Sequence, residues 1–377
     1  MLNHWLKPLS PDLLTDLEEW HFGKKITVHT VTPSRDGDES AKGVDLDLKS
    51  TKIAIVGINE AEADAIRAIL YSSSFPFTKL NITDLGNMRK QDPSFIIPLL
   101  TELLQSDIVP ILIGQSETAI LPQFQAFHAR KNSVNLAIID EKIRFSPFSK
   151  ADNLFLHNIL EDNHLFNLSF IGFQSHYTDP SVVNLLEKRH FELIRLGKLR
   201  SELEDIEPII RDADLVSFNL AAMKMSDAPG QRNGSPSGLT SEEACQIARY
   251  AGMSDKLTSF GIYGYHKKLD SLDQATAQVV AQMIWYFADG FYNRKQDFPI
   301  QKAFNQLMQY IVHVKSFDEQ LTFWRSNKSG RWWMEIPVKT RKKHVRHRLI
   351  PCAYNDYLQA CNDDLPDRLI LAYQRFT

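Results

Sequence analysis

Cysteine is scarce in this chain: Cys245, Cys352 and Cys361 are all it has in 377 residues. Three scattered thiols support neither a disulfide framework nor a zinc cluster, and a reducing, cytoplasmic setting is the simplest expectation. Long apolar runs are missing as well. No stretch reaches the roughly 18 residues a membrane helix needs. Met1 to Trp20 carries Asp12, Asp16, Glu18 and Glu19 in place of a basic segment followed by an apolar run, so no secretory leader is expected. Charge of one sign is also lacking. A formal net charge of −3 creates no global field for nucleic acid or anionic lipid, and any such partner would need a local patch.

What is there fits one large α/β core with an appendage, since 43% of the residues are hydrophobic and 24% charged in a chain long enough to bury a sizeable interior. Lys52–Ile58, Ile108–Gly114 and Val134–Asp140 are continuous apolar runs of the kind a parallel sheet buries on both faces. Ile82–Asn87, Leu168–Gln174, Phe191–Gly197 and Leu257–Gly264 read as further strands. Helical spacing of apolar residues predicts helices over Ala61–Tyr71, Ser94–Leu104, Asp179–Arg189 and Asp273–Gly290, with an acidic helix ending at Glu207 and Pro208. Pro11–Glu19 reads as a short helix and Pro33–Gly43 as a polar loop.

The chain is organised around the strand from Val216, which runs into a loop holding Ala228, Pro229 and Gly230, then into a helix opened by Thr240. Glu243 three residues on completes a capping box. In an α/β sheet such a strand end faces the ligand crevice.

This layout resembles the arginase, agmatinase and formimidoylglutamase superfamily, and most of all a formimidoylglutamase-like member. There the strand ends in S-x-D-x-D, the loop carries A-P-G, and a Gly-Leu-Thr-x-x-Glu segment opens the next helix. Ser217, Ala228 to Gly230, Gly238 to Thr240 and Glu243 match. Ile66 and Arg67 keep an Ile-Arg dipeptide, Asp84 and Gly86 a D-x-G strand end, and Gly114 a further landmark. The resemblance covers roughly residues 50 to 300. It implies a three-layer arginase-like fold, a mostly parallel sheet of about eight strands between helices, with residues 1–50 as an N-terminal segment, 51–299 as the α/β domain and 300–377 as a C-terminal β/α extension packed on it.

The resemblance also implies a pair of Mn²⁺ ions that activate a bridging water to split a C–N bond in a linear amidine. Here the family's ligand positions fall on Glu117, Asp140, Lys142, Arg144, Asn219 and Ala221, and only Asp140 keeps the family residue. Lys224 stands at a further position where the family commonly has Asp, and Gly264 where the family's Glu holds the substrate. Arginine offers no lone pair and lysine does so only if its pKa is strongly depressed, so two cations at ligand positions repel the metal. The expectation is therefore a pseudoenzyme without metal cofactor or catalytic residues, in which Asp140 and Glu117 pair with Lys142, Arg144 or Lys224. Its role would be scaffolding, or binding of a protein partner or small anion. The runner-up is a hydrolase with an altered metal site. By resemblance, the chain would form a homo-oligomer.

Other polar residues read as structural. Asp270 is expected to cap the helix that follows it, and Asp152, Asp162 and Asp179 to cap helices or close turns. His157, His164, His176 and His190 show no close His/Asp pairing of the sort a metal site needs. After Pro299, Leu321–Pro337 reads as a hairpin around Asn327–Gly330, its Trp side chains packed on the body. Lys339, Arg341, Lys342, Lys343, Arg346 and Arg348 follow in one run. A basic run near aromatics gives nucleic-acid binding through 339–348 as a third reading, less favoured than a solvated strand edge.

Overall fold

The computed structural model describes residues 4–30, 48–130, 133–145, 154–299, 306–315, 317, 320–338 and 348–376. The expected loop Pro33–Gly43, Asp152 and the basic run 339–347 lie outside them.

The elements follow in chain order: β1 (Leu6–Lys7), α1 (Phe22–Lys25), β2 (Thr27–Val28), β3 (Ile53–Gly57), α2 (Glu60–Leu70), β4 (Ile82–Met88), α3 (Pro93–Gln105), β5 (Val109–Gly114), α4 (Ile120–Gln125) and β6 (Val134–Ile139). Next are α5 (Leu154–Leu160), β7 (Leu165–Phe173), α6 (Pro180–Lys188), β8 (Glu192–Arg195), α7 (Leu196–Ser201), α8 (Ile206–Asp212), β9 (Leu215–Asn219), α9 (Ser241–Met253), β10 (Ser259–Tyr263) and α10 (Ala275–Tyr292). The C-terminal part holds β11 (Leu307–His313), β12 (Gln320–Ser326), β13 (Trp332–Glu335), β14 (Leu349–Cys352), α11 (Tyr354–Cys361) and α12 (Asp367–Phe376).

Strands β1 to β10 form one sheet in the order β1-β4-β3-β5-β10-β9-β6-β7-β8, with β2 also on β4. The eight strands β3 to β10 are mutually parallel, as expected from their continuous apolar runs; β1 alone runs antiparallel to its neighbour. Alternate side chains of each strand feed opposite faces. Ile53 and Ile55 of β3 join a core with α2, α8, α9 and α10, whereas Ala54 and Val56 join a core with α3, α4, α5 and α6. The result is three layers.

The sequence and the structure differ at α8. The acidic helix expected to end at Pro208 instead starts at Ile206 and continues to Asp212. Pro208 sits in the first turn, where no intrahelical N–H partner is lost. The segment Pro11–Glu19 likewise shortens to a single 3₁₀ turn, Pro11–Leu14.

The expected hairpin is β12 and β13, the centre of a four-stranded antiparallel sheet β11-β12-β13-β14 with its own core. It rests on α8. The Arg211 guanidinium lies 4.5 Å from the Trp333 ring centroid, donates to the carbonyls of Trp332 (3.2 Å) and Cys352 (3.3 Å), and pairs with Glu207 at 2.9 Å. Trp333 is thereby fully buried against the body as expected, whereas Trp332 packs into the extension's own core beside Tyr310 and Tyr357.

Candidate functional site

Four adjacent strands, β5, β10, β9 and β6, deliver the candidate residues, because parallel strands bring all their C-terminal ends to one edge of the sheet. Glu117 opens a 3₁₀ turn after β5, Asp140 to Arg144 follow β6, Asn219 ends β9 and Gly264 follows β10. Positions scattered over almost 150 residues of sequence thus meet in one crevice.

Arg144 is the hub. Its Nε lies 3.3 Å from Asp140 Oδ2 and 3.6 Å from Glu117 Oε1, and its terminal nitrogen lies 3.3 Å from Glu141 Oε1. Asp140 is nearly inaccessible. Its Oδ2 also accepts the Asn219 amide (3.0 Å), and its Oδ1 accepts the Glu141 backbone N–H (2.7 Å). Burial raises the Asp140 pKa; the Arg144 charge and hydrogen bonds from Arg144 and Asn219 offset part of that rise. Burial and the Asp140 charge push Glu141 up to about 7. For Arg144, burial works against its charge, but Asp140 and Glu117 outweigh it and the net shift is upward.

Of the three cations offered as partners, Arg144 is the one that pairs, and the other two stay out. Lys142 is exposed and Lys224 half-buried, and neither pairs with Asp140 or Glu117 among the described residues. In the loop after β6 the backbone is pinned by Ile143 N–H on Thr178 Oγ1 (3.4 Å) and by Gln174 N–H on the Glu141 carbonyl (2.7 Å). This turns Arg144 inward and leaves Lys142 outside.

Asn219 orders its neighbours. While its Nδ2 serves Asp140, its Oδ1 accepts the backbone N–H of Ala221 at 3.1 Å. Ala221 is buried and contributes no side-chain donor. Gly264 has φ +93°, and a Cβ there would meet Asn219 Oδ1 at 2.5 Å. With Asn219 in this pose, no side chain fits at position 264.

Several crevice residues escaped the sequence reading. Gln115 donates its backbone N–H to Asn59 Oδ1 (2.9 Å) and its amide to Glu62 Oε1 (2.6 Å). Burial lowers the His266 pKa and the Arg232 charge lowers it further, with Glu62 and Glu117 pulling the other way. Glu141 is the one a closer reading could have found, since it adjoins Asp140 in a loop already singled out. Asp270 is the expected cap: its carboxylate accepts the N–H groups of Thr276 and Ala277 at the start of α10, both at 3.1 Å. Thr240 and Glu243 likewise form the expected capping box. The three thiols are free.

One expectation is overturned. His164 does pair closely with a carboxylate: its Nδ1 is 2.9 Å from Asp162 Oδ1, and His128 Nε2 is 3.0 Å from Asp162 Oδ2. The second histidine lies 36 residues away in sequence and is brought in only by the fold.

No family model matches the chain, and no curated protein does. Solved structures do. The chain is similar to Trypanosoma cruzi formiminoglutamase with Mn²⁺ (TM-score 0.61, 16% identity, covering 67% of this chain and 97% of that one). It is also similar to Bacillus subtilis formimidoylglutamase (TM-score 0.58, 17% identity, 70% and 97%). Thermoplasma volcanium agmatine ureohydrolase is a third likeness (TM-score 0.53, 17% identity, 66% and 93%). At these identities the likeness establishes the fold alone, an arginase-like α/β fold.

Proposed function

We propose that this arginase-fold chain is a pseudoenzyme, with a crevice that scaffolds or binds a partner or small ligand and does not hydrolyse amidines. The observation that carries this reading is the Arg144 guanidinium held among Asp140, Glu117 and Glu141. A dimanganese centre needs several carboxylates or imidazoles with lone pairs aimed at a shared space. Asp140 already spends its oxygens on Arg144, Asn219 and a backbone N–H. Asn219 faces Asp140 with its N–H side, Ala221 offers no ligand atom, and Arg144 adds a positive charge that no pH in the working range removes. These residues do not fit two dications.

What remains is a strand-end cluster of mixed charge: Arg144 sits among Asp140, Glu117 and Glu141, and His266 feels the charges of Arg232, Glu62 and Glu117. Such a surface suits a polar ligand or a protein segment more than a simple anion, because the carboxylates already compensate Arg144. No helix among the described residues is long and apolar enough to cross a membrane. The test is an assay of C–N hydrolysis with formiminoglutamate, agmatine and arginine in the presence of added Mn²⁺. No turnover above the protein-free rate is expected. Turnover that disappears in Asp140→Ala would restore the reading as a hydrolase with an altered metal site.

A further inference from the structure

We propose that His128, Asp162 and His164 form a binding site for a single divalent transition ion of the Zn²⁺ type, remote from the crevice. His128 lies in a 3₁₀ turn after α4, five residues beyond which β6 begins at Val134. Asp162 and His164 immediately precede β7. Both segments therefore sit at the N-terminal ends of their strands, the opposite edge of the sheet from Arg144. A hydrogen bond from Val134 N–H to the His164 carbonyl (2.7 Å) fixes the two segments together.

The donor set is suited to an ion. One ligand atom from each residue, two imidazole nitrogens and a carboxylate oxygen, lies within 4.8 Å of the others. The imidazoles stack with centroids 4.0 Å apart and planes 18° apart, so their nitrogens run side by side toward the same carboxylate. Asp162 is oriented by accepting the His164 backbone N–H (2.8 Å), and the edge of Phe124 supports the His128 ring at 5.8 Å. On binding, each ring carries its proton on the far nitrogen, and the rings open out of their stack so that both lone pairs reach one ion at the usual Zn–N distance of about 2.0–2.1 Å. Burial lowers the His128 pKa, the Asp162 charge opposes the fall and the His164 charge adds to it. Side-chain exposures of 34%, 17% and 32% leave solvent access, and water can complete the coordination. Two imidazoles and one carboxylate without thiolate select Zn²⁺, Co²⁺ or Ni²⁺ over Ca²⁺ and Mg²⁺, which take all-oxygen sets.

An ion here would clip the turn after α4 to the entry of β7, and it would stabilise the fold by binding only the native state. The full chain, stripped with chelator and carrying Cys361→Ser to remove the exposed thiol, is titrated with Zn²⁺ by calorimetry and melted with and without the ion. One saturable equivalent and a raised Tm are expected. His128→Gln and His164→Gln should weaken binding by roughly tenfold or more, the order seen when a metal's ligand shell is damaged, and should lose the Tm gain. His128→Gln keeps an amide able to donate to Asp162, so its ion-free Tm should stay near that of the parent. Absence of a one-equivalent site, or a site that keeps its affinity in both histidine variants, would overturn the proposal.

Discussion

Arg144 is the residue on which the crevice depends. Removing it leaves Asp140, Glu141 and Glu117 facing one another with little compensation, and breaking one partner of a buried pair costs about 3 kcal/mol. Arg144→Ala should therefore lower stability by about that amount in urea unfolding. Asp140→Ala should cost a similar amount, and the double variant should fall short of the sum by more than about 0.5 kcal/mol, as coupled neighbours do. Additive losses would mean that the two side chains do not interact. Glu141 supplies a pH signature. Its folded pKa of about 7 stands above the ordinary 4.5, so between those values the folded chain holds a proton that the unfolded chain releases. The group's stabilising contribution is full below about 4.5 and is lost as pH climbs toward 7. Glu141→Gln should gain on the wild type in melts taken from about pH 5 to about pH 8; a difference that is flat over this range would refute the assignment. Gly264→Ala should destabilise by roughly 1–3 kcal/mol, because φ is positive there and the new Cβ runs into Asn219.

At the scale of elements, α9 and α10 show how backbone proximity sets a requirement that composition does not reveal. A Cβ on Gly252 would meet the Phe287 carbonyl oxygen at 2.1 Å. Gly252→Ala should push the helices apart at a cost of about 1–3 kcal/mol, the range for overpacking; unchanged thermal stability would show that the helices can yield. The strands were legible because burial on both faces makes parallel strands continuous apolar runs, as in Ile53–Gly57 and Val109–Gly114. The caps at Thr240 and Asp270 were legible because a cap is a local pattern. Strands β1 and β2 were not: each has two residues, and their membership rests on backbone pairing with β4. The partner of Asp140 was legible only as a choice among Lys142, Arg144 and Lys224, since the pinned loop after β6 decides which side chain turns inward. His128 with Asp162 was illegible because nothing local joins residues so far apart.

For the molecule as a whole, the C-terminal sheet and the α/β body are joined through Arg211, whose side chain is almost fully buried against Trp333. Arg211→Ala should cost about 1–3 kcal/mol by leaving the Trp332 and Cys352 carbonyls without this donor, while Glu207 keeps Arg331 at 3.2 Å. Trp fluorescence should shift to the red as Trp333 meets water. A blue, native-like spectrum would show that the extension docks without this residue. The central claim concerns the C-terminal edge of the parallel strands, where the Arg144 guanidinium stands among Asp140, Glu117 and Glu141. The most direct test is a crystal of the protein soaked in Mn²⁺, with anomalous difference maps collected at the manganese edge. We expect no manganese peak between Glu117, Asp140 and Asn219, and Arg144 still bound to its carboxylates. Two peaks in that space, with Arg144 displaced toward solvent, would contradict the account.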